Sequence, residues 1–290
     1  MLACASGCAS SASSSSSQTS ARQPWRWEHV AGHAYESLHY RVYTDVADDG
    51  AVERLLARME ASYVGYAKLI EPRATPRALE LFVFARWEDF AAYTRATTGA
   101  DAEVYVSVGH GGYCVEDRFV CYFGNEPDVL AVAAHEGFHQ YVYRHALTRL
   151  PPALEEGLAT TFETADRAKN PRRQIALRRA VESNGLLPLS TLVQLHAGDL
   201  ADRSVELNET FYAQCWALAR LLETDPAFAP AFKRMLTDVA RGNLIDDVGR
   251  GRTYKPAAVM GLLTRALGRD WQTIERRYAD FITAQPDFPD

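Results

Sequence analysis

The sequence predicts an α+β chain: an N-terminal mixed β-sheet with helices packed on it, followed by an all-helical C-terminal half, with a cleft between the two. Three observations carry this. Residues 38–43 alternate apolar and polar side chains and Leu79–Phe84 is a short apolar run, both strand signals. From about residue 127 onward, apolar residues recur almost without interruption at helical spacing. Between these regions lies Ala134-His135-Glu136-Gly137-Phe138-His139-Gln140, which sets two histidines four positions apart on the first helix of the second half.

Taken in order, Tyr40 and Val42 mark the first strand, and Leu38 shares their phase. Asp48-Asp49-Gly50 closes it and offers acidic caps to the next element. Val52, Leu55, Leu56, Met59, Tyr63 and Tyr66 then predict an amphipathic helix over 51–70, ended by Pro72 and Pro76. Leu79–Phe84 is apolar enough for a central strand. A short helix over 87–95 and a third strand over 103–108 follow, the latter broken by Gly109-His110-Gly111-Gly112. Residues 113–114 and 119–123 read as a hairpin. A loop over Glu116–Phe119 would set Cys114 opposite Cys121, where a disulfide is possible; the other reading is two separate buried thiols. Pro127 and Asp128 suit a first helical turn, so the two-histidine helix runs from about 128 to 144. Pro151-Pro152 restarts the chain before a helix over 153–165. Further helices are expected over 172–182, 189–195, 209–223, 227–240, 257–267 and 271–284, with 242–255 as a surface loop. The chain thus divides into a tail (1–24), an α/β subdomain (25–126) and a helical subdomain (127–290).

The composition sets limits on function. With 290 residues, 47% hydrophobic and 23% charged, the chain can bury one large core or two modest ones. A net charge of −6, with no basic run carrying interleaved aromatics, argues against a nucleic-acid partner. No stretch of 18 or more apolar residues exists, so no segment is expected to span a membrane. Residues 1–20 are Ser-rich and too polar to fold. Within them, Ala5-Ser6-Gly7-Cys8 resembles the end of a bacterial lipoprotein signal, but no basic start or apolar segment precedes it. Either the true start lies upstream or the likeness is accidental. On the first reading the chain is extracytoplasmic, in the periplasm or at the cell surface, attached to the membrane only by a lipid on Cys8 or Cys4.

Chemistry concentrates at His135-Glu136-x-x-His139. Residues i and i+4 of a helix project from one face about 6 Å apart, so both imidazoles can bind one divalent metal, with Glu136 beside them to handle protons. A catalytic zinc commonly takes three protein ligands and leaves a fourth position for water. Two residues compete for the third place. His145 has metzincin spacing, but Val142 stands where that motif needs a helix-breaking glycine. A continuing helix carries His145 about 9 Å beyond His139 along the axis, out of reach. Glu156 is the better candidate. On the helix over 153–165, Glu156, Thr160 and Glu163 share one face, while Leu154, Leu158 and Phe162 form the opposite, core-seeking face. Gly157 allows close approach of that helix, and Glu155, about 100° from Glu156, is expected at the rim or in solvent.

These segments together, His135-Glu136-x-x-His139 and Pro152-x-x-Glu155-Glu156-Gly157-Leu158-Ala159-x-x-Phe162-Glu163, resemble the gluzincin metallopeptidases, most closely the peptidase MA-like families of bacterial envelope proteins. Ala153 replaces a frequent aromatic of that pattern. Weaker likeness extends to Pro188-Leu189-Ser190-x-x-Val193, to Phe211-Tyr212-Ala213-Gln214 and to 271–281. The resemblance implies a gluzincin-like zinc cleft holding one Zn2+ on His135, His139 and Glu156, with Glu136 as general base in peptide hydrolysis. It also suggests Tyr212 as oxyanion donor, although Tyr212 reads equally well as a cleft-lining aromatic. Thr160 and Glu163 would orient a ligand imidazole, or serve as a cap and an exposed charge. The implied partner is a peptide or protein substrate. The alternative is a zinc-containing envelope protein that binds peptide or glycan without cleaving it.

Overall fold

The computed structural model describes residues 22–75, 77–107, 111–200, 203–244 and 255–285. The lipoprotein-like stretch at Cys4 and Cys8, His110 in its glycine loop and most of the 242–255 loop lie outside them.

Six strands form one mixed sheet: β1 (Gln23–Trp27), β2 (Val30–Glu36), β3 (Tyr40–Thr44), β4 (Leu79–Phe84), β5 (Gly112–Val115) and β6 (Arg118–Tyr122). Their spatial order is β1-β2-β3-β4-β6-β5, with β3/β4 and β4/β6 parallel and the remaining pairs antiparallel. Strand β5 therefore ends the sheet. The crossover from β3 to β4 is α1 (Asp49–Leu69), capped by the Asp48 side chain, which accepts from the Ala51 amide. Helices α2 (Trp87–Thr97) and α3 (Ala102–Ser107) connect β4 to β5. The rest is helical: α4 (Glu126–His145), α5 (Pro152–Thr161), α6 (Pro171–Glu182), α7 (Leu189–Leu192), α8 (Val205–Thr224), α9 (Ala229–Arg241), α10 (Pro256–Leu267) and α11 (Trp271–Thr283). One face of the sheet is covered by α1 and α4. The other carries an aromatic layer in which Phe82 stacks on both Tyr43 and Tyr93. One buried cluster runs from Val42 and Leu81 of the sheet through Phe138 of α4 to Trp216 of α8 and Ile274 of α11, so sheet and helices share a core.

Four expectations need correction. Where a strand is expected over 103–108, the described residues 102–107 form α3, whose Val104 is exposed and whose Glu103 pairs with Arg95 of α2 at 2.7 Å. Alternating valines make a strand only where a neighbouring strand and a core face receive them, and here the segment winds into a helix packed against α2. Leu38 stands exposed ahead of β3 and not in its buried face. The β5–β6 hairpin turns on Glu116 and Asp117 alone, with Glu116 at φ 57°. That tighter turn pairs Cys114 with Phe119 and Cys121 with Gly112, and both thiols are free. Finally, the tail expected over 1–24 gives up Gln23 and Pro24 to β1, and β1 and β2 are strands with no expected counterpart.

Candidate metal centre

Helix α4 is built to hold its position. The Asn125 side chain caps it by accepting from the Asp128 amide at 3.2 Å, and Pro127 sits in its first turn. Phe138, Tyr141 and Val142 are fully buried. The Gln140 amide donates to the carbonyls of Glu80 (2.8 Å) and Asp117 (2.6 Å), tying the helix to β4 and to the hairpin turn. Tyr66 of α1 donates to the Ala134 carbonyl at 2.5 Å. These contacts occupy the core side of α4, so His135 and His139 face the cleft. Helix α5 meets them from across it. A Cβ on Gly157 would lie 2.2 Å from the Cys215 carbonyl oxygen of α8, so only glycine allows these helices to approach this closely.

The cleft brings together His135, His139 and Glu156, which offer three donor atoms all within 4.8 Å of one another. His135 Nε2 lies 3.3 Å from His139 Nε2 and 3.3 Å from Glu156 Oε2, and His139 Nε2 lies 3.5 Å from the same oxygen. Nitrogen and oxygen donors about 2.0–2.1 Å from a tetrahedral ion are separated by about 3.3 Å, so this triangle has the edges such an ion requires. Two neutral imidazoles with Nε2 lone pairs turned toward each other and toward a carboxylate would repel, and a cation among them removes the repulsion. The group can thus hold a metal ion.

The far nitrogen of each imidazole meets another carboxylate. His135 Nδ1 is 3.2 Å from Glu163 Oε1, and His139 Nδ1 is 3.0 Å from Glu155 Oε1. Such contacts fix the tautomer that leaves Nε2 free to bind metal. Glu155 is therefore not at the rim: its side chain is 3% exposed and contacts His139. The helical-wheel reading failed because α4 flanks α5 as well as facing it, so the side of α5 expected in solvent is covered. Thr160 is also displaced from its expected place. Its hydroxyl donates to the Gly157 carbonyl within α5, while the imidazoles' hydrogen-bond partners are Glu155, Glu156, Glu163 and each other. Glu163 lies past the end of α5, where its Oε2 also accepts from Asn170 at 2.8 Å. Sequence reasoning missed Arg149, Asn170 and Arg173, which hold the two outer carboxylates. Their one signal was the proximity of basic residues to two acids that needed partners.

The charges are arranged accordingly. Burial lowers the pKa of His135, but its bonds to Glu156 and Glu163 and the charge of Glu136 outweigh this and lift it to about 9. His139 is raised in the same way, with Glu156 and Glu155 prevailing over burial. Burial disfavours the charged form of Glu156, yet the two imidazoles hold its carboxyl well below the usual range. Glu136 is raised: burial dominates, the imidazoles oppose it and Glu156 adds to it. Tyr212 lies across the cleft, its ring centroid 6.0 Å from that of His135. His145, by contrast, takes no part. It is buried at the other end of α4, with Nδ1 near the Arg73 carbonyl (3.1 Å) and Nε2 near the Tyr63 hydroxyl (3.3 Å).

Two cavities adjoin at the site. One of about 660 Å3 is lined by Tyr105, Cys114, His139, Arg149 and Glu156 among others. The second, of about 500 Å3, lies toward the N-terminal end of α4, lined by Val132, Asn170 and Arg172. His135, Glu136, Arg173 and Tyr212 border both. Comparison of the chain with protein-family models, curated proteins and solved structures finds no match. No helix among the described residues is long and apolar enough to cross a membrane.

Proposed function

We propose that this chain is a zinc-dependent metallopeptidase with a gluzincin-like cleft. The observation that carries the reading is the His135–His139–Glu156 triangle, whose edges suit a tetrahedral ion, with Glu136 beside it on the same helix. Three nitrogen and oxygen donors with room for a fourth ligand are the donor set of a catalytic zinc. Zinc held there would lower the pKa of a water molecule toward about 7 and polarise a substrate carbonyl.

The remaining chemistry belongs to the chain's own residues. Glu136 takes the proton of the attacking water and returns it to the leaving amine. The upward shift that burial gives its carboxyl brings it closer to the working range of a base that must also act as an acid. Tyr212 borders both cavities and donates to the developing oxyanion. With cavities on either side of Glu136, an extended peptide can pass the reacting groups. Gly112, Tyr113 and Cys114 of the terminal strand β5 line one wall, where a peptide backbone could add to the sheet. The lipoprotein-like Ala5–Cys8 stretch supports an extracytoplasmic location, where peptide substrates would be encountered.

The test is a peptide-library cleavage assay on zinc-loaded protein. Wild type is expected to cleave a subset of the library. Glu136→Gln should retain one zinc per chain and lose activity by at least about 10²–10⁴-fold. Cleavage undiminished in Glu136→Gln, or a folded wild type that binds no zinc, would overturn the proposal.

A further inference from the structure

Four carboxylates surround the two imidazoles, but they are not equivalent. Glu155 is gripped by Arg149, whose Nε donates to Oε2 at 2.9 Å and whose Nη2 donates to Oε1. Glu163 is gripped by Arg173, with Nε to Oε2 at 3.0 Å and Nη2 to Oε1 at 2.5 Å. Both are two-pronged guanidinium–carboxylate pairs, the geometry that restrains a carboxylate in orientation as well as position. Glu136 and Glu156 have no arginine hydrogen bond or ion pair among the described residues. The two arginines thus hold the outer pair of carboxylates and leave the inner two to the cleft.

We infer that Arg149 and Arg173 are positioning residues for the metal, each fixing one histidine through a carboxylate: Arg149–Glu155–His139 and Arg173–Glu163–His135. The inference rests on the metal-site reading above and extends it to residues that touch neither the three donors nor Glu136. Three physical consequences follow. With its oxygens occupied, Glu155 cannot swing toward the metal in competition with its neighbour Glu156. The guanidinium fork holds Glu155 with Oε1 turned to His139 Nδ1 at 3.0 Å, where it serves as the acceptor for that ring. Each imidazole is then held with Nε2 turned into the triangle before the ion arrives, which reduces the ordering that binding must impose. The two arms differ in one respect. Arg173 is deep, its side chain 7% exposed, and its guanidinium lies 5.0 Å from the Tyr212 ring centroid. Arg149 borders the larger cavity, and its side chain is 36% exposed.

The arm through Arg149 provides the cleaner test because it is more accessible. Zinc affinity is measured by chelator competition for wild type, Arg149→Ala, Glu155→Gln and the double variant Arg149→Met/Glu155→Gln. The double variant replaces the ion pair by neutral groups of similar length and guards against misfolding of the single arginine variant. Visible absorption of the cobalt(II)-loaded proteins reports ligand geometry, and thermal unfolding of the metal-free proteins reports fold. Arg149→Ala and Glu155→Gln are each expected to weaken zinc binding by about 10–100-fold and to alter the cobalt spectrum. The double variant should match Glu155→Gln, since the arginine acts only through that carboxylate. Arg149→Lys, which keeps the charge but loses the fork, should recover only part of the affinity. Changes confined to the unfolding temperature, with cobalt spectrum and zinc affinity unmoved, would reduce the pair to a structural role and overturn the inference. So would losses that add in the double variant. Wild type that binds neither ion removes the metal-site reading itself, and with it this extension.

Discussion

The two ends of helix α4 place histidines in opposite surroundings. His135 and His139 stand in the cleft among carboxylates, and His135 is lifted to about 9. His145 sits less than two turns beyond His139 against a tyrosine hydroxyl and a backbone carbonyl, and is pushed down to about 4. One stretch of helix and one residue type thus yield a cation-attracting pair and a neutral core histidine. The difference comes from what the neighbouring elements present. Helix α5 and the residues just after it bring Glu155, Glu156 and Glu163 to the first pair, whereas α1 and the loop after it bring Tyr63 and Arg73 to His145. A histidine spacing alone does not make a group that can hold a metal ion; the opposing surface completes it.

The strongest way to break this contrast is to remove the opposing carboxylate. Structural zinc binding of about 10–16 kcal/mol, shared among three or four donors, assigns about 4 kcal/mol to each. Glu156→Ala should therefore weaken zinc binding on the order of a thousandfold by chelator competition. His145→Ala should change it less than about twofold, because His145 contacts none of the three donors. Equal losses in the two variants would mean that the triangle is not the metal site. A weaker perturbation keeps all three donors and loosens one. In Glu163→Gln the Arg173 fork loses its charged partner and the acceptor opposite His135 Nδ1 is weakened, and an affinity loss of about 10–100-fold is expected.

The approach of α5 to α8 can be tested without metal. Gly157→Ala forces a methyl group toward the Cys215 carbonyl, which must be relieved by moving α5, and overpacking of this kind costs about 1–3 kcal/mol. Urea unfolding of the metal-free protein should show that loss. Zinc affinity should fall as well, since Glu156 precedes the glycine on the same turn. A variant as stable as wild type would show that α5 has slack and that its position is not fixed by this contact.

How much of this was legible in the sequence varies with the range of the interaction. The i, i+4 histidines and the phase of Glu156 against Leu154 and Leu158 are properties of single helices, and the structure places these residues as helical geometry requires. The amphipathic patterns of α1, α4, α8 and α9 were legible for the same reason, since each buries one face in a common core. What was not legible depended on neighbours distant in sequence or in space. Glu155 appeared exposed because a helical wheel cannot show that α4 covers its flank. Thr160 appeared to face the metal, but its hydroxyl bonds back to its own helix. Residues 103–108 carry the alternation of a strand, yet 102–107 form a helix that packs against α2. The Cys114–Cys121 pairing depended on the length of a turn, and a turn shorter by two residues moved the register by the same amount.

The finest test of the contrast is the pH dependence that His145 alone imposes. Its ordinary value is 6.5 and its folded value about 4, lowered chiefly by burial; the Arg73 carbonyl opposes this, while the positive charges of Arg144, Arg73 and His39 add to it. The folded state therefore prefers the neutral ring, and between pH 6.5 and 4 the unfolded chain binds the proton first. Stability rises with pH wherever the unfolded state holds more protons, so the contribution is fully present above pH 6.5 and lost as pH falls toward 4. Below that both states are protonated and the loss stops. His145→Gln keeps a side-chain donor for the Arg73 carbonyl but cannot titrate, so it should flatten this part of the curve. The measurement is urea unfolding of wild type and variant at intervals from pH 4 to 7.5, taken as a difference so that all other titrating groups cancel. The difference between the two curves should grow from pH 4 to pH 6.5 and stay constant above it. A difference independent of pH would mean that the ring at 145 is not held neutral, and the two ends of α4 would then differ in position without differing in charge.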